Sequence, residues 1–264
     1  MSWLELAAYL GTGLVAGVMA GLMGIGGGIV IVPALMWLFA ETGLAADWSV
    51  HLAVGTSLAT LIGTGSASAY SHHRRGAVRW DLVRILVPWL VIGAWIGSAI
   101  AGLLDATWLR RIFGLFLLYV GRGMLVNRAQ GVAHRLPGGL GIRLAGTGIG
   151  SLSAFIGIGG GTLIVPFLIR SGFDMRRAVA TSAACGPPIA LAGVLGFIVA
   201  GWEREGLPLG STGFVYWPAV ATILLASVPA APFGAHLAHS LPLPTLRRIF
   251  GVLVLLVAVK LFVG

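Results

Sequence analysis

Long apolar runs, separated by short polar or charged stretches, make up almost the whole chain. Charged residues and clusters of Pro and Gly divide these runs into ten predicted helical segments. A helix needs about 20 apolar residues to cross a hydrocarbon core of about 30 Å. Most of the segments reach that length, but the second and the seventh do not, and each of these two follows a glycine cluster. The predicted segments are about 4–23, 28–40, 50–70, 83–104, 108–126, 140–157, 161–170, 178–200, 213–238 and 245–263.

The second half of the chain repeats motifs of the first half. A GIGGG cluster followed by a proline occurs at Gly24–Gly28 with Pro33 and again at Gly157–Gly161 with Pro166. The hexapeptide LRRIFG begins at both Leu109 and Leu246. We therefore predict a first repeat at 1–126, a basic cytoplasmic linker at 127–139 and a second repeat at 140–264. Because each repeat holds five segments, an odd number, the second must enter the membrane in the opposite direction.

The composition agrees with this membrane interpretation. Charged residues are only 9% of the 264 residues and hydrophobic residues are 58%, whereas a soluble domain carries about 25% charged residues. This composition excludes a soluble enzyme, a disordered chain and a nucleic-acid-binding protein. The single cysteine, Cys185, excludes an intramolecular disulfide. We predict an all-α polytopic protein of a prokaryotic cytoplasmic membrane, built from two inverted repeats.

The distribution of basic residues predicts the topology. If all ten segments cross and the loop 72–84 is cytoplasmic, thirteen of the 17 Lys and Arg residues lie inside. If the two short segments are re-entrant and only eight cross, ten of the 17 lie inside. The positive-inside rule therefore favours ten crossings, with both termini outside. The charge count leaves it open whether segments 28–40 and 161–170 cross fully.

The glycine clusters are the first candidate binding site. Glycine allows a helix to break and a ligand to approach the backbone, and the free N–H groups at a helix start attract anions. The alternative is that these glycines only permit close helix packing. The candidate backbone ligands are Gly26, Gly27, Gly28, Gly159, Gly160 and Gly161. Four hydroxyls in apolar segments either complete this anion site or bond only their own backbone: Thr56, Ser57, Thr181 and Ser182.

Other residues receive predicted structural roles. The candidate helix breaks or hinges are Gly24, Pro33, Gly157, Pro166, Pro187 and Pro188. Small residues four apart predict close helix packing, at Gly13, Gly17 and Gly21 and at Gly146 and Gly150. Two arginine pairs are either interfacial anchors or the lining of an anion vestibule: Arg110 and Arg111, and Arg247 and Arg248. The His72–Arg75 cluster is predicted to be a solvated loop.

The residues indicate no catalytic group, no metal site and no cofactor. No acidic residue lies at the centre of a predicted segment, so the chain lacks a buried carboxylate proton relay. An inverted repeat with paired interrupted helices is typical of secondary transporters that work by alternating access. One alternative is an anion channel on the same scaffold. The other is a redox or cofactor-handling membrane protein that uses His72, His73, His236 and His239.

The doubled GxGGG motif with its following proline resembles that of the TauE/SafE sulfite exporter (TSUP) family. The Thr-Ser pairs and the LRRIFG helices agree with this resemblance, which covers essentially the whole chain. It implies a permease for a small anion such as sulfite, a sulfonate or a related organic acid. The partners expected are that anion and the lipid bilayer, with protons as a candidate coupling ion and no nucleic acid. The identity of the anion, the direction and coupling of transport, and the oligomeric state, for which a homodimer is one candidate, stay open.

Overall fold

The computed structural model describes residues 2–23, 26–45, 47–125, 136–237, 251–252 and 254–259. These residues form an all-α membrane protein, and six of the helices among them are long and apolar enough to span a membrane. The two short helices, α2 and α7, follow the glycine clusters, as predicted. The helices are α1 Trp3–Met23, α2 Gly28–Thr42, α3 Ser49–Arg74, α4 Trp80–Leu103, α5 Ala106–Leu125, α6 Gly139–Ile156, α7 Gly161–Arg170, α8 Met175–Ala200 and α9 Trp217–Leu237.

A short β-hairpin precedes α9. Strand β1, Ser211–Thr212, pairs antiparallel with β2, Val215–Tyr216. The predicted segment 213–238 therefore begins four residues too early, because its first residues form the hairpin instead of a helical turn. Gly213, with φ of 52°, lies at the turn of this hairpin.

The six long apolar helices α1, α3, α4, α6, α8 and α9 form two sets that run in opposite directions. Within one set, α9 lies parallel to α1 and to α3, while α4, α6 and α8 lie parallel to one another in the other set. The two sets are antiparallel, because the start of α3 contacts the end of α8 and Gly65 near the middle of α3 faces Pro187 of α8. Helices α1 and α3 thus run opposite to α6 and α8, their equivalents in the second half. This arrangement supports the inverted repeat, which stays a prediction.

Glycine faces bring the parallel helices into backbone contact. A Cβ atom at Gly13, Gly17 or Gly21 of α1 would overlap the carbonyl oxygens of Ile223, Ser227 or Ala231 of α9. The contact between α4 and α6 has the same character, since a Cβ at Gly97 or Gly150 would overlap the carbonyl oxygen of Ser151 or Leu90. The structure confirms the predicted packing role of these stripes. Each half therefore packs its first long helix against the fourth helix of the other half.

The prolines do not interrupt their helices. Helix α8 continues from Met175 to Ala200 through Pro187 and Pro188, so the predicted break there is wrong. Pro33 and Pro166 also lie inside α2 and α7 and do not end them. A proline inside a helix costs about 3 kcal/mol, but membrane helices tolerate it where neighbouring elements pack against the freed backbone. The buried face of α8 against α3 and α4 supplies that packing.

The His72–Arg75 cluster is not a solvated loop, which corrects the prediction. Helix α3 continues to Arg74, and His72 in its last turn is only 2% exposed. Its Nε2 atom lies 3.2 Å from the carbonyl oxygen of Gly21, near the end of α1. The Arg75 guanidinium donates to the carbonyl oxygen of Ala235, near the end of α9, at 2.6 Å. The basic cluster therefore ties the ends of three parallel helices together.

Candidate functional site

The two glycine breaks meet in the interior of the protein. A Cβ atom at Gly26 would lie 3.6 Å from the Cα atom of Gly159, and one at Gly28 would overlap the carbonyl oxygen of Gly157. Gly27 and Gly160 cap the short helices with φ values of 81° and 78°, a conformation that glycine adopts without strain. Close approach and backbone conformation therefore both require glycine at this junction.

The short helices run from this junction to opposite ends of the molecule. Near the end of α2, the ring of Phe39 contacts that of Tyr216, just before α9, with centroids 6.1 Å apart. Beyond the end of α7, the Phe173 ring lies 5.5 Å from the guanidinium carbon of Arg79, just before α4. The N-termini of α2 and α7 are thus adjacent, and both bring the positive end of a helix dipole to one place.

Free backbone donors lie at the start of α7. The N–H groups of Leu163 and Ile164 both donate to the carbonyl oxygen of Gly160. The N–H groups of Gly161 and Thr162 have no such acceptor within the described part of the chain, as expected for the first turn of a helix. The buried hydroxyl of Thr162 likewise has no partner there.

A small cavity lies beside the junction. Its lining includes Gly26 and Gly159 from the breaks, Leu61, Gly65 and Ser68 from α3, and Gly186 from α8. Its volume of about 10 Å³ is close to the minimum that one water molecule needs. None of the described residues that line it carries a charge. Leu61 and Gly186 lie near the middle of their 26-residue helices, so the cavity lies about halfway along two helices that are long enough to span a membrane.

The two serines of the Thr-Ser pairs have different environments. Ser57 donates to the carbonyl oxygen of Gly157 at 3.0 Å, so it stabilises the second break directly. Ser182 is also fully buried, but its hydroxyl has no hydrogen-bond partner among the described residues. It lies one turn before Gly186, a lining residue of the cavity, on the same face of α8, although Ser182 itself does not line the cavity.

The two threonines bond backbone amides elsewhere. Thr56 accepts a hydrogen bond from the Tyr216 N–H at 3.0 Å, and Thr181 accepts one from the Arg79 N–H at 3.2 Å. Neither threonine lines the cavity. Burial raises the pKa of the Tyr216 phenol. The hydrogen bonds that the Arg79 guanidinium donates to the Asp81 carboxylate raise the pKa of Arg79.

Sequence reasoning missed several residues of this region. Leu61, Gly65 and Ser68 follow Ser57 at intervals of four, eight and eleven residues, and these intervals place them on one face of α3. This spacing alone could have predicted that the three residues share a face of α3 with Ser57. Nothing in the sequence pairs Tyr216 with Thr56 or Arg79 with Thr181, because each pair is separated by more than 100 residues.

The remaining candidates lie away from the cavity or outside the described residues. Arg110 and Arg111 are in the first turns of α5, where the Arg111 guanidinium carbon lies 5.4 Å from the centroid of the Trp108 ring. The anion vestibule stays a prediction. His73 accepts a hydrogen bond from Trp80, and His236 is exposed at the end of α9. Gly24, His239, Arg247 and Arg248 lie outside the described residues.

Comparison with known proteins identifies the family. The model of the sulfite exporter TauE/SafE family matches residues 9–261. A probable membrane transporter protein of Haemophilus influenzae is 36% identical over 95% of both chains. A probable membrane transporter protein of Xylella fastidiosa (strain 9a5c) is 30% identical over 97% of this chain and 94% of its own length. No solved structure matches the chain. The chain therefore belongs to the sulfite exporter TauE/SafE family and is a multi-pass membrane transporter.

Proposed function

We propose that the protein is a secondary transporter that binds a small oxyanion where α2 and α7 begin and moves it by alternating access. The candidate substrates are sulfite, a sulfonate or a related organic acid. The observation that carries this proposal is the meeting of two helix N-termini about halfway along two helices that are long enough to span a membrane. Converging N–H groups and helix dipoles attract an anion without an arginine at the membrane centre, which would cost several kcal/mol.

The hydroxyl groups refine the composition of the proposed site. Ser182 is the serine whose hydroxyl is free to donate to the anion, since that of Ser57 already bonds Gly157. The hydroxyls of Thr56 and Thr181 bond backbone amides instead. We therefore assign anion contact to Ser182 and to the backbone of the glycine clusters at Gly26–Gly28 and Gly159–Gly161.

The size of the cavity supports alternating access. A volume of about 10 Å³ is too small for sulfite, so the helices around it must move apart before an anion enters. The relevant movement changes the distance between the breaks and the middle of α3 and α8. An open pore would instead keep this space continuously accessible.

Flux through liposomes that contain the purified protein tests the proposal. We expect saturable uptake of sulfite, a sulfonate or an organic acid, and accumulation against its gradient when a driving ion gradient is imposed. Gly159→Ala and Gly186→Ala place a methyl group 3.3 Å from Leu61 and 3.2 Å from the Gly159 carbonyl oxygen. We expect each variant to lower the flux about tenfold, which corresponds to about 1.4 kcal/mol of lost binding.

The matched control is Gly148→Ala in α6, where an added methyl group meets no atom of the described residues within 4 Å. This variant should transport normally. Normal flux in Gly159→Ala and Gly186→Ala, as in the control, would contradict the proposed site. Flux that neither saturates nor runs uphill would show an anion channel instead of a transporter.

A further inference from the structure

Two similar sets of contacts lie at opposite ends of the molecule. At one end, Thr56 of α3 accepts the N–H of Tyr216, whose ring contacts Phe39 near the end of α2. Together these three residues form what we call the Thr56 latch. Each of its members lies on a different element, and Tyr216 directly precedes α9.

The second set repeats this arrangement in the other half of the chain. Thr181 of α8 accepts the N–H of Arg79, whose guanidinium packs on Phe173 just beyond α7. These three residues form the Thr181 latch, and Arg79 directly precedes α4. Both threonines belong to Thr-Ser pairs, and both latches join a short helix to the entry of a long helix from the other half.

The two latches lie on opposite sides of the cavity. Thr56 and Thr181 are the eighth and seventh residues of α3 and α8, which are antiparallel. The latches are therefore on opposite sides of the cavity, which lies near the middle of the same two helices. Both hydrogen bonds are present together in this structure, and the cavity between them is small.

We propose that the two latches close opposite ends of the transport path, and that Thr56 and Thr181 are positioning residues for its alternate opening. This inference rests on the alternating access of the proposed function. Opening one end separates Phe39 and Tyr216 from Thr56 while the Thr181 latch holds the other end closed. The second half-cycle exchanges the roles of the two latches.

The threonine hydroxyl is the part of each latch that a single substitution can remove. Both threonine side chains are fully buried, so valine fits the same space while it removes the acceptor. The N–H of Tyr216 or Arg79 then loses its partner at a partly buried position, which weakens that latch alone. Serine retains the acceptor, so Thr56→Ser and Thr181→Ser are the matched controls.

The single cysteine offers a direct measurement of opening. Cys185 is fully buried and is the neighbour of the cavity residue Gly186. A membrane-impermeant maleimide is applied to right-side-out and to inside-out membrane vesicles that contain the full chain. We expect Thr56→Val to increase the labelling rate of Cys185 at least severalfold from one face, and Thr181→Val to do so from the opposite face. The serine variants should label at the rate of the unaltered protein, and Cys185→Ala should give no signal.

Several outcomes would overturn the inference. These are faster labelling of both valine variants from the same face, or unchanged labelling of both variants. If a valine variant does not fold, Phe39→Leu and Phe173→Leu weaken the same latches through the ring contact and must show the same opposite-face pattern. Labelling needs no substrate, so a failure to transport sulfite would reject the proposed substrate and leave this test intact.

Discussion

Ser57 and Ser182 occupy equivalent positions in the two Thr-Ser pairs but make different interactions. The hydroxyl of Ser57 satisfies the Gly157 carbonyl at the second break, whereas the buried hydroxyl of Ser182 has no partner in the described part of the chain. A buried acceptor that loses its donor costs about 1–3 kcal/mol. Substitution of Ser57 should therefore affect the stability of the junction, whereas substitution of Ser182 should affect the proposed binding of the anion.

Alanine substitution of each serine should have a different effect. Ser57→Ala should lower the free energy of unfolding by about 1–3 kcal/mol, because it leaves the Gly157 carbonyl oxygen unpaired. Ser182→Ala should leave the stability almost unchanged and raise the KM for transport. Thermal unfolding in detergent and flux in liposomes measure the two effects. A loss of stability in Ser182→Ala equal to that in Ser57→Ala would reject the distinction.

The sequence indicated the residues of the junction better than it indicated their roles. The repeated GxGGG motif identifies the glycines, because a required close approach or positive φ excludes other residues. A threonine hydroxyl, in contrast, bonds either a ligand or a distant amide, and periodicity does not distinguish these partners. The bond from Tyr216 to Thr56 joins residues 160 positions apart, and only the fold reveals it.

At the scale of the helices, the glycine face of α1 has a specific test. A methyl group at Gly17 would overlap the Ser227 carbonyl oxygen and lie 2.7 Å from the Ser227 Cα atom. Gly17→Ala must therefore separate α1 from α9, and such overpacking costs about 1–3 kcal/mol. We expect a lower melting temperature for this variant in detergent.

The control for this variant lies on the same helix. At Gly11 an added methyl group meets nothing within 4 Å in the part of the chain that the structure describes, so Gly11→Ala should be neutral or stabilise the helix by about 0.5–1 kcal/mol. If both alanine variants melt at the same temperature, the close contact of α1 with α9 does not limit stability.

The apolar pattern predicted the helices well but misjudged their ends and interruptions. Length and hydrophobicity place α3 correctly, yet the polar cluster at its end suggested a loop where His72 and Arg75 bond carbonyls of neighbouring helices. Two adjacent prolines suggested a break in α8, but tertiary packing keeps the helix continuous. Both errors have one cause, since local sequence does not report the neighbouring helices that satisfy exposed backbone or polar groups.

At the scale of the whole molecule, each half packs its first helix against a helix of the other half, so we expect neither half to fold without the other. Helix α1 packs against α9, and α6 packs against α4. We expect a chain of residues 1–130 or 131–264, expressed alone, to be degraded or to aggregate. The two chains expressed together should co-purify and transport. A half that is stable and monodisperse by itself, in size-exclusion chromatography, would contradict this prediction.

The composition and the long apolar segments predicted the all-α membrane architecture, whereas the inverted repeat and the charge-based topology stay predictions. An odd number of segments in each repeat requires opposite insertion, and the antiparallel course of the described helices α1 and α3 relative to α6 and α8 supports it. The pairing of each first helix with the other half was not predictable, because a glycine stripe identifies a contact face without identifying its partner.

This pairing also constrains how such a protein could arise. A polypeptide of half this length would leave the backbone-lined faces of its first and fourth helices unpaired, and two copies in opposite orientations would cover both. Its monomers would have to insert both ways, which requires almost no charge bias across the bilayer. Joining two copies in one chain removes that requirement. Charge would then be free to diverge between the halves. The present segments differ in this way, since Glu41–Val50 has two acids and no Lys or Arg, whereas Arg170–Arg177 has three arginines and one Asp.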